Sequence, residues 1–288
     1  MLAIKTTPAT RKIIHRTRGS THGPITRLVS PSDLGDVIKP FVFLDLAEFD
    51  GHSEPTPMKY FWHPHSGIAT VTVPLEGAIR IADTTGADVV LPAGGIEWMR
   101  AGHGVWHTGQ VEAGVARAFQ LWVALPPDLE NAPSASSYVQ PDDVPVVGPA
   151  RVILGSYDGA RSPIDAPPLT YLQVNLEPGE RWTYQPARGH LVAWLAVSDG
   201  ALRTPERVAS GEVAIFEHAS DAIELVAEGR TRFVIGSAAP HRHKLALGNY
   251  SVHTSPEALR NGEEEIRRIG RRLRDNGTLR FARPAAAL

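Results

Sequence analysis

The chain has 288 residues, with 29 Lys and Arg against 31 Asp and Glu, and its formal net charge of −2 points to neither a nucleic-acid nor a membrane surface. It contains no cysteine, which excludes disulfides, thiolate metal ligands and a cysteine nucleophile. A hydrophobic fraction of 42% with 21% charged residues fits a globular protein with a sizeable core, and the length suits one large domain or two ordinary ones.

The N-terminal stretch MLAIKTTPATRKIIHRTRGS is basic but lacks the apolar segment of a secretory signal. No run approaches the length of a membrane-spanning helix, so the expected location is cytoplasmic. Lys5, Arg11, Lys12, Arg16, Arg18 and Arg27 make an acid-free arm, either a tail or a segment laid over a barrel. No direct nucleic-acid binding is expected of it.

Short β-rich runs follow. TVTVPLEGAIRIADT, ADVVLPAGGIEWM and VARAFQLWVAL lie in the first half, and LTYLQVNLEPGE, HLVAWLAVSDGAL, GEVAIFEH, AIELVAEG and RFVIGSA in the second. Each is rich in Val, Ile, Thr or aromatics and ends at Gly, Pro, Asp or Ser, the pattern of a β-sandwich or barrel. Between them, LPPDLENAPSASSYVQPDDVPVVGPA has linker composition and places a division near residue 140. The halves also share a weak strand–turn–strand repeat.

The clear helix is SPEALRNGEEEIRRIGRRLRDNG, residues 255–277. Ser255 suits the N-cap, Pro256 the first helical position and Gly277 the stop. Ile266, Ile269 and Leu273 make a narrow docking stripe. Gly262 and Gly270 predict a weakened helix, broken in two.

His63 and His65, in HPHSG, lie two apart where a strand begins. Side chains at that spacing face one way, about 7 Å apart along the strand. Such a pair is either an ordinary polar strand edge or half of a metal site. His107, in PAGGIEWMRAGHGVWHTGQ, offers a third imidazole if its strand crosses the first pair. Three imidazoles suit Fe(II), Zn, Ni or Cu and leave coordination positions open for water or substrate.

HPHSGIATVTVPLEGAIR followed by GGIEWMRAGHGVWHTG resembles the pirin family of bicupins, and the likeness runs over roughly residues 40–240. The resemblance implies an all-β fold of two cupin barrels (jelly-roll, or double-stranded β-helix). The expected domains are 1–140 with a metal site, 141–245 metal-free, and 246–288 as a tail with the docking helix. It also implies one divalent ion held by His63, His65 and His107, Fe(II) first and Zn, Ni, Cu or Mn as alternatives. The family's fourth ligand is a glutamate two residues past the third histidine. Here that position is Gly109, which neither ligates nor accepts a proton. Losing this anion raises the net charge at the ion and favours anionic ligands.

Substitutes for the lost carboxylate are few. Gln110 and Glu112 have the wrong strand parity. Glu97 and His103 are candidates, each weighed against an ordinary surface role. Trp62 and Trp106 are expected to pack the barrel or its entrance. His241 and His243 read as a solvated loop, and His190 and His218 leave the second barrel without a paired site. The resemblance implies a dioxygenase acting on a flavonol or another small enolisable compound, in a monomer. The alternative is a non-catalytic, redox-responsive regulator that binds a transcription factor or a metabolic enzyme.

Overall fold

The computed structural model describes residues 11–52, 56–57 and 62–279. They are organised as two compact units, each a pair of antiparallel sheets. One unit joins Ser20–Val144 to the segment from His241 onward, and the other joins the segment up to Gly19 to Pro145–Pro240. The chain divides after Val144 and after Pro240. The terminal segments, however, do not stay with their sequence neighbours, so the consecutive blocks 1–140, 141–245 and 246–288 give way to an exchange of ends.

In the unit with the histidines, seven strands run in the order Ala135–Val139, Ile96–Arg100, Ile68–Glu76, Gly114–Ala124, Phe41–His52, Ile25–Val29, Ser20–His22. The second sheet carries Thr56–Pro57, Val105–Val111, Ala78–Asp83 and Asp88–Pro92, with the short His63–His65 strand also paired to Val105–Val111. Ile68–Glu76, the TVTV run, is buried at every position except Glu76, as β-branched side chains on a covered pleat require. Its apolar interior includes Phe43, Ile68, Met99, Val105 and Trp122.

The other unit pairs a seven-stranded with a four-stranded sheet. Leu172, Val174, Leu195, Phe216, Leu225 and Phe233 pack its core. Here the described part of the basic arm before Ser20 finds its place, whereas Arg27 belongs to the unit with the histidines. Ile13–Thr17 pairs antiparallel with Glu212–Phe216. Arg11 is buried and donates to the carbonyls of Glu217, at 2.8 Å, and Leu191. Arg16 bridges to Glu206 and Glu212. Those cations satisfy one barrel's own acceptors; Lys5 lies outside the described residues.

The C-terminal helix is continuous over Pro256–Asp275, and the Ser255 hydroxyl accepts from the Ala258 N–H. The expected break at Gly262 and Gly270 is corrected. Both glycines face inward for close approach: a Cβ at Gly262 would lie 2.5 Å from Ser66 Oγ and 2.6 Å from His253 Nε2, and one at Gly270 2.7 Å from a Trp106 ring carbon. Ile269 and Leu273 pack with Trp62 and Trp106, and the Trp106 indole N–H donates to the Ile266 carbonyl at 2.8 Å. Gly262→Ala is therefore expected to destabilise the protein by about 1–2 kcal/mol in urea unfolding, because overpacking exceeds the gain in helix propensity. A more stable variant would show that the contact yields.

Candidate metal centre

Strand register brings the three histidines together. His107 stands directly opposite His63, and Val105 opposite His65. Side chains two apart share a face, so all three imidazoles turn to one side. Gly67 completes HPHSG for two reasons: its φ is +75°, and a Cβ there would lie 2.1 Å from the Val252 carbonyl. Only glycine lets the chain leave the His63–His65 strand against that neighbour.

The three imidazoles meet through their ring nitrogens. His107 Nε2 lies 2.9 Å from His63 Nε2 and 3.1 Å from His65 Nε2. The His65 Nδ1–H donates to the Tyr250 carbonyl at 3.0 Å, which fixes the tautomer and leaves the Nε2 lone pair free to ligate. Trp122 meets the His65 ring edge-on at 4.8 Å between centroids. Burial, then the neighbouring histidines, push His65 and His107 well below the usual 6.5. Both are neutral at pH 7 and need shed no proton to ligate a cation.

The donor set fits a divalent ion. Two nitrogens at about 2.1 Å from one ion and at right angles to each other are about 3.0 Å apart, against the 2.9 and 3.1 Å found here. Among the described residues, His63, His65 and His107 are the group of His and carboxylate side chains close enough to share an ion. Glu97 and Asp45 do not join it.

Beside the histidines lies a pocket enclosing about 630 Å³ of empty space, part of it open to solvent. His63, His107 and Gly109 line one side, and Ile25, Ile79, Ile81 and Ala118 supply apolar wall. Gly109 thus faces the same space as His107, while Gln110 and Glu112 do not line it. The rest is a line of polar residues crossing the large sheet in register. Glu97 pairs with Thr72, Thr72 with Gln120, Gln120 with Asp45, and Asp45 with Arg27. Glu97, Thr72, Gln120 and Asp45 all line the pocket.

Glu97 is fully buried rather than at the surface. Its Oε2 accepts from the Thr72 hydroxyl, and its Oε1 has no hydrogen-bond partner. Burial, with the charge of Asp83 adding, pushes its carboxyl up to about 7. Asp45 is also buried but is paired to Arg27. His103 takes no part in the pocket; it lies in the turn after the Glu97 strand, its backbone N–H bound to the Ala132 carbonyl at 2.8 Å. His241 and His243 meet edge-on with their ring centroids 5.5 Å apart, and His190 bonds Ser237 Oγ at 2.9 Å. Neither arrangement gathers a third metal-binding group among the described residues.

These barrels and the three-imidazole pocket define a protein of bicupin class. The pirin family profile matches residues 24–123. A Pseudomonas aeruginosa protein provisionally named quercetin 2,3-dioxygenase is 32% identical over 255 residues, covering 82% of this chain and 85% of its own. A pirin-like protein of Caulobacter vibrioides is 31% identical over 254 residues, 85% of this chain and 91% of that one. The chain belongs to the pirin family. Among solved structures, a quercetin 2,3-dioxygenase from Acinetobacter baumannii superposes with a TM-score of 0.84 at 24% identity, covering 90% of this chain and 98% of that one. A bacterial pirin from Escherichia coli, crystallised with nickel(II), gives 0.61 at 18% identity, covering 82% and 100%. At such identities these two establish the fold alone.

Proposed function

We propose that the chain is a metal-dependent oxidoreductase of dioxygenase type, acting on a flavonol or another small enolisable compound. The observation that carries this reading is the meeting of three Nε2 atoms beside a pocket with both an apolar wall and a polar line. His63, His65 and His107 would hold one divalent ion, Fe(II) first among the candidates. Bound there, the ion supplies Lewis acidity and, if iron, a route for electrons to dioxygen. The chain's own part is to orient and exclude water. Tyr250 and Trp122 hold His65, while Ile25, Ile79 and Ile81 would receive an aromatic body. Thr72, Gln120 and Asp45 would receive its hydroxyls. The names of relatives support the substrate class, and the nickel-bound pirin supports a divalent ion.

Protein purified without added metal is expected to carry one equivalent of ion and, loaded with Fe(II), to take up oxygen with quercetin. Iron at full occupancy with no uptake would sink the dioxygenase reading. It would favour the non-catalytic regulator, for which glycine at position 109 is the specific supporting observation.

Gly109→Glu offers a check of the ligand geometry. A carboxylate returned to the pocket face two residues past His107 should tighten nickel binding at least about tenfold, measured against a chromophoric chelator. Unchanged affinity would mean that position 109 does not address the ion.

A further inference from the structure

An acidic hydroxyl that binds beside the ion must give up its proton, and Gly109 cannot take it. We infer that Glu97 is the proton acceptor of this pocket, receiving the proton of a bound enolic or phenolic hydroxyl at its Oε1. This deepens the dioxygenase reading and rests on it for the substrate class. The O–H bond of the ligand breaks, the O–H bond of the Glu97 carboxylic acid forms, and the electron pair stays on the ligand oxygen. No electron changes hands and no further reactant is needed.

Three observations place the role on this residue. Glu97 lines the same pocket as His63, His107 and Gly109, from the sheet that faces their strands across the barrel. Its two oxygens are unequal: Oε2 is held by the Thr72 hydroxyl, while Oε1 is shielded from solvent and has no partner. A buried carboxyl oxygen left without a partner is destabilising, and a hydroxyl-bearing ligand would supply the missing bond. Finally, Glu97 lies outside the group of side chains close enough to share an ion. It therefore acts on the ligand and not as a replacement metal ligand.

The groups around Glu97 suit the task. Thr72 from the Ile68–Glu76 strand and Tyr138 from the Ala135–Val139 strand are its direct cross-strand neighbours. Asp83, from the facing sheet, adds negative charge and favours the protonated form. Asp45, further along the register line, is already paired to Arg27. His63 and His107 close the pocket on the opposite side. A divalent ion on those histidines favours the ionised carboxyl, so metal loading would itself prepare the acceptor.

The test compares the nickel-loaded wild type with Glu97→Gln, in the absence of oxygen, using two probes whose spectra change on deprotonation: quercetin and 4-nitrocatechol. Nickel affinity should stay within about threefold, because a side chain that is not a ligand can change without loss of the ion. The pH at which the bound probe turns to its anionic spectrum should rise by at least about one unit in Glu97→Gln. Glu97→Asp should recover part of that rise. An unchanged switching pH in Glu97→Gln would overturn the inference, as would a collapse of nickel affinity, which would make Glu97 a ligand. If the wild type binds 4-nitrocatechol as its anion but not quercetin, the flavonol reading fails, and a switching pH raised in Glu97→Gln still supports Glu97 as acceptor. If neither probe binds the nickel-loaded wild type, the pocket has no acidic hydroxyl to serve and the inference falls.

Discussion

A His107→Ala chain is expected to lose stoichiometric metal altogether. His107 is the central member of the three: its Nε2 is the atom from which 2.9 Å to His63 and 3.1 Å to His65 are measured. Removing it leaves two imidazoles and no anionic ligand, because Gly109 contributes none. Loss of an outer partner of a metal ligand typically weakens binding by about 10–100-fold, so loss of a ligand itself from an already reduced set should exceed about 100-fold. Nickel titration followed by dialysis and elemental analysis reads the effect. The fold is expected to survive, because His107 pairs through its backbone with both His63 and Asp83, and alanine keeps those bonds. Metal retained at one equivalent in a folded His107→Ala protein would show that the ion sits elsewhere. His65→Ala should match it in metal loss and also release the Tyr250 carbonyl from its hydrogen bond.

The strands of both barrels are written in local alternation, and TVTVPLEGAIRIADT folds as the two strands that its turn glycine separates. The histidine site was also within reach. A spacing of two on one strand, and a third imidazole on a neighbour, needs only the pleat to bring them to one face. Other features depend on partners far along the chain. Nothing near Ile13–Thr17 tells that it will pair with Glu212–Phe216, since the pairing is decided by what the second barrel leaves uncovered. Gly262 and Gly270 looked like helix breakers because glycine is poor in isolated helices. Their purpose shows only when Ser66, His253 and Trp106 arrive against them. Tyr250 acts through its backbone carbonyl, which no side-chain pattern reveals. The burial of Glu97 had a local clue in IEWMR: residue 97 shares its strand face with Met99, which is fully buried. The polar line through Thr72, Gln120 and Asp45 has no local clue, because it exists only once four strands are in register.

Glu97 should also leave a mark on stability. In metal-free protein, wild type is expected to lose roughly 3 kcal/mol relative to Glu97→Gln as the pH rises from 4 to 8. Burial raises the folded carboxyl from the ordinary 4.5 to about 7, so the folded state holds its proton over a range where the unfolded chain has released it. The stabilisation is fully present below pH 4.5 and is lost as the pH climbs through 7, beyond which the difference levels off. Glutamine has the same shape and no such proton, so the variant-minus-wild-type difference isolates this one group from every other titration. Urea unfolding at a series of pH values measures it, and a difference that stays flat would mean that the carboxyl is ionised throughout or reaches solvent. Nickel adds the decisive comparison. A divalent charge on His63, His65 and His107 lowers the cost of ionising a carboxyl in the same pocket, so the pH-dependent difference should shrink in loaded protein. A slope that shrinks with nickel means that Glu97 and the ion share one electrostatic environment, as a proton acceptor beside a metal-bound ligand must. A slope that ignores nickel means that the buried carboxyl and the histidines are energetically separate.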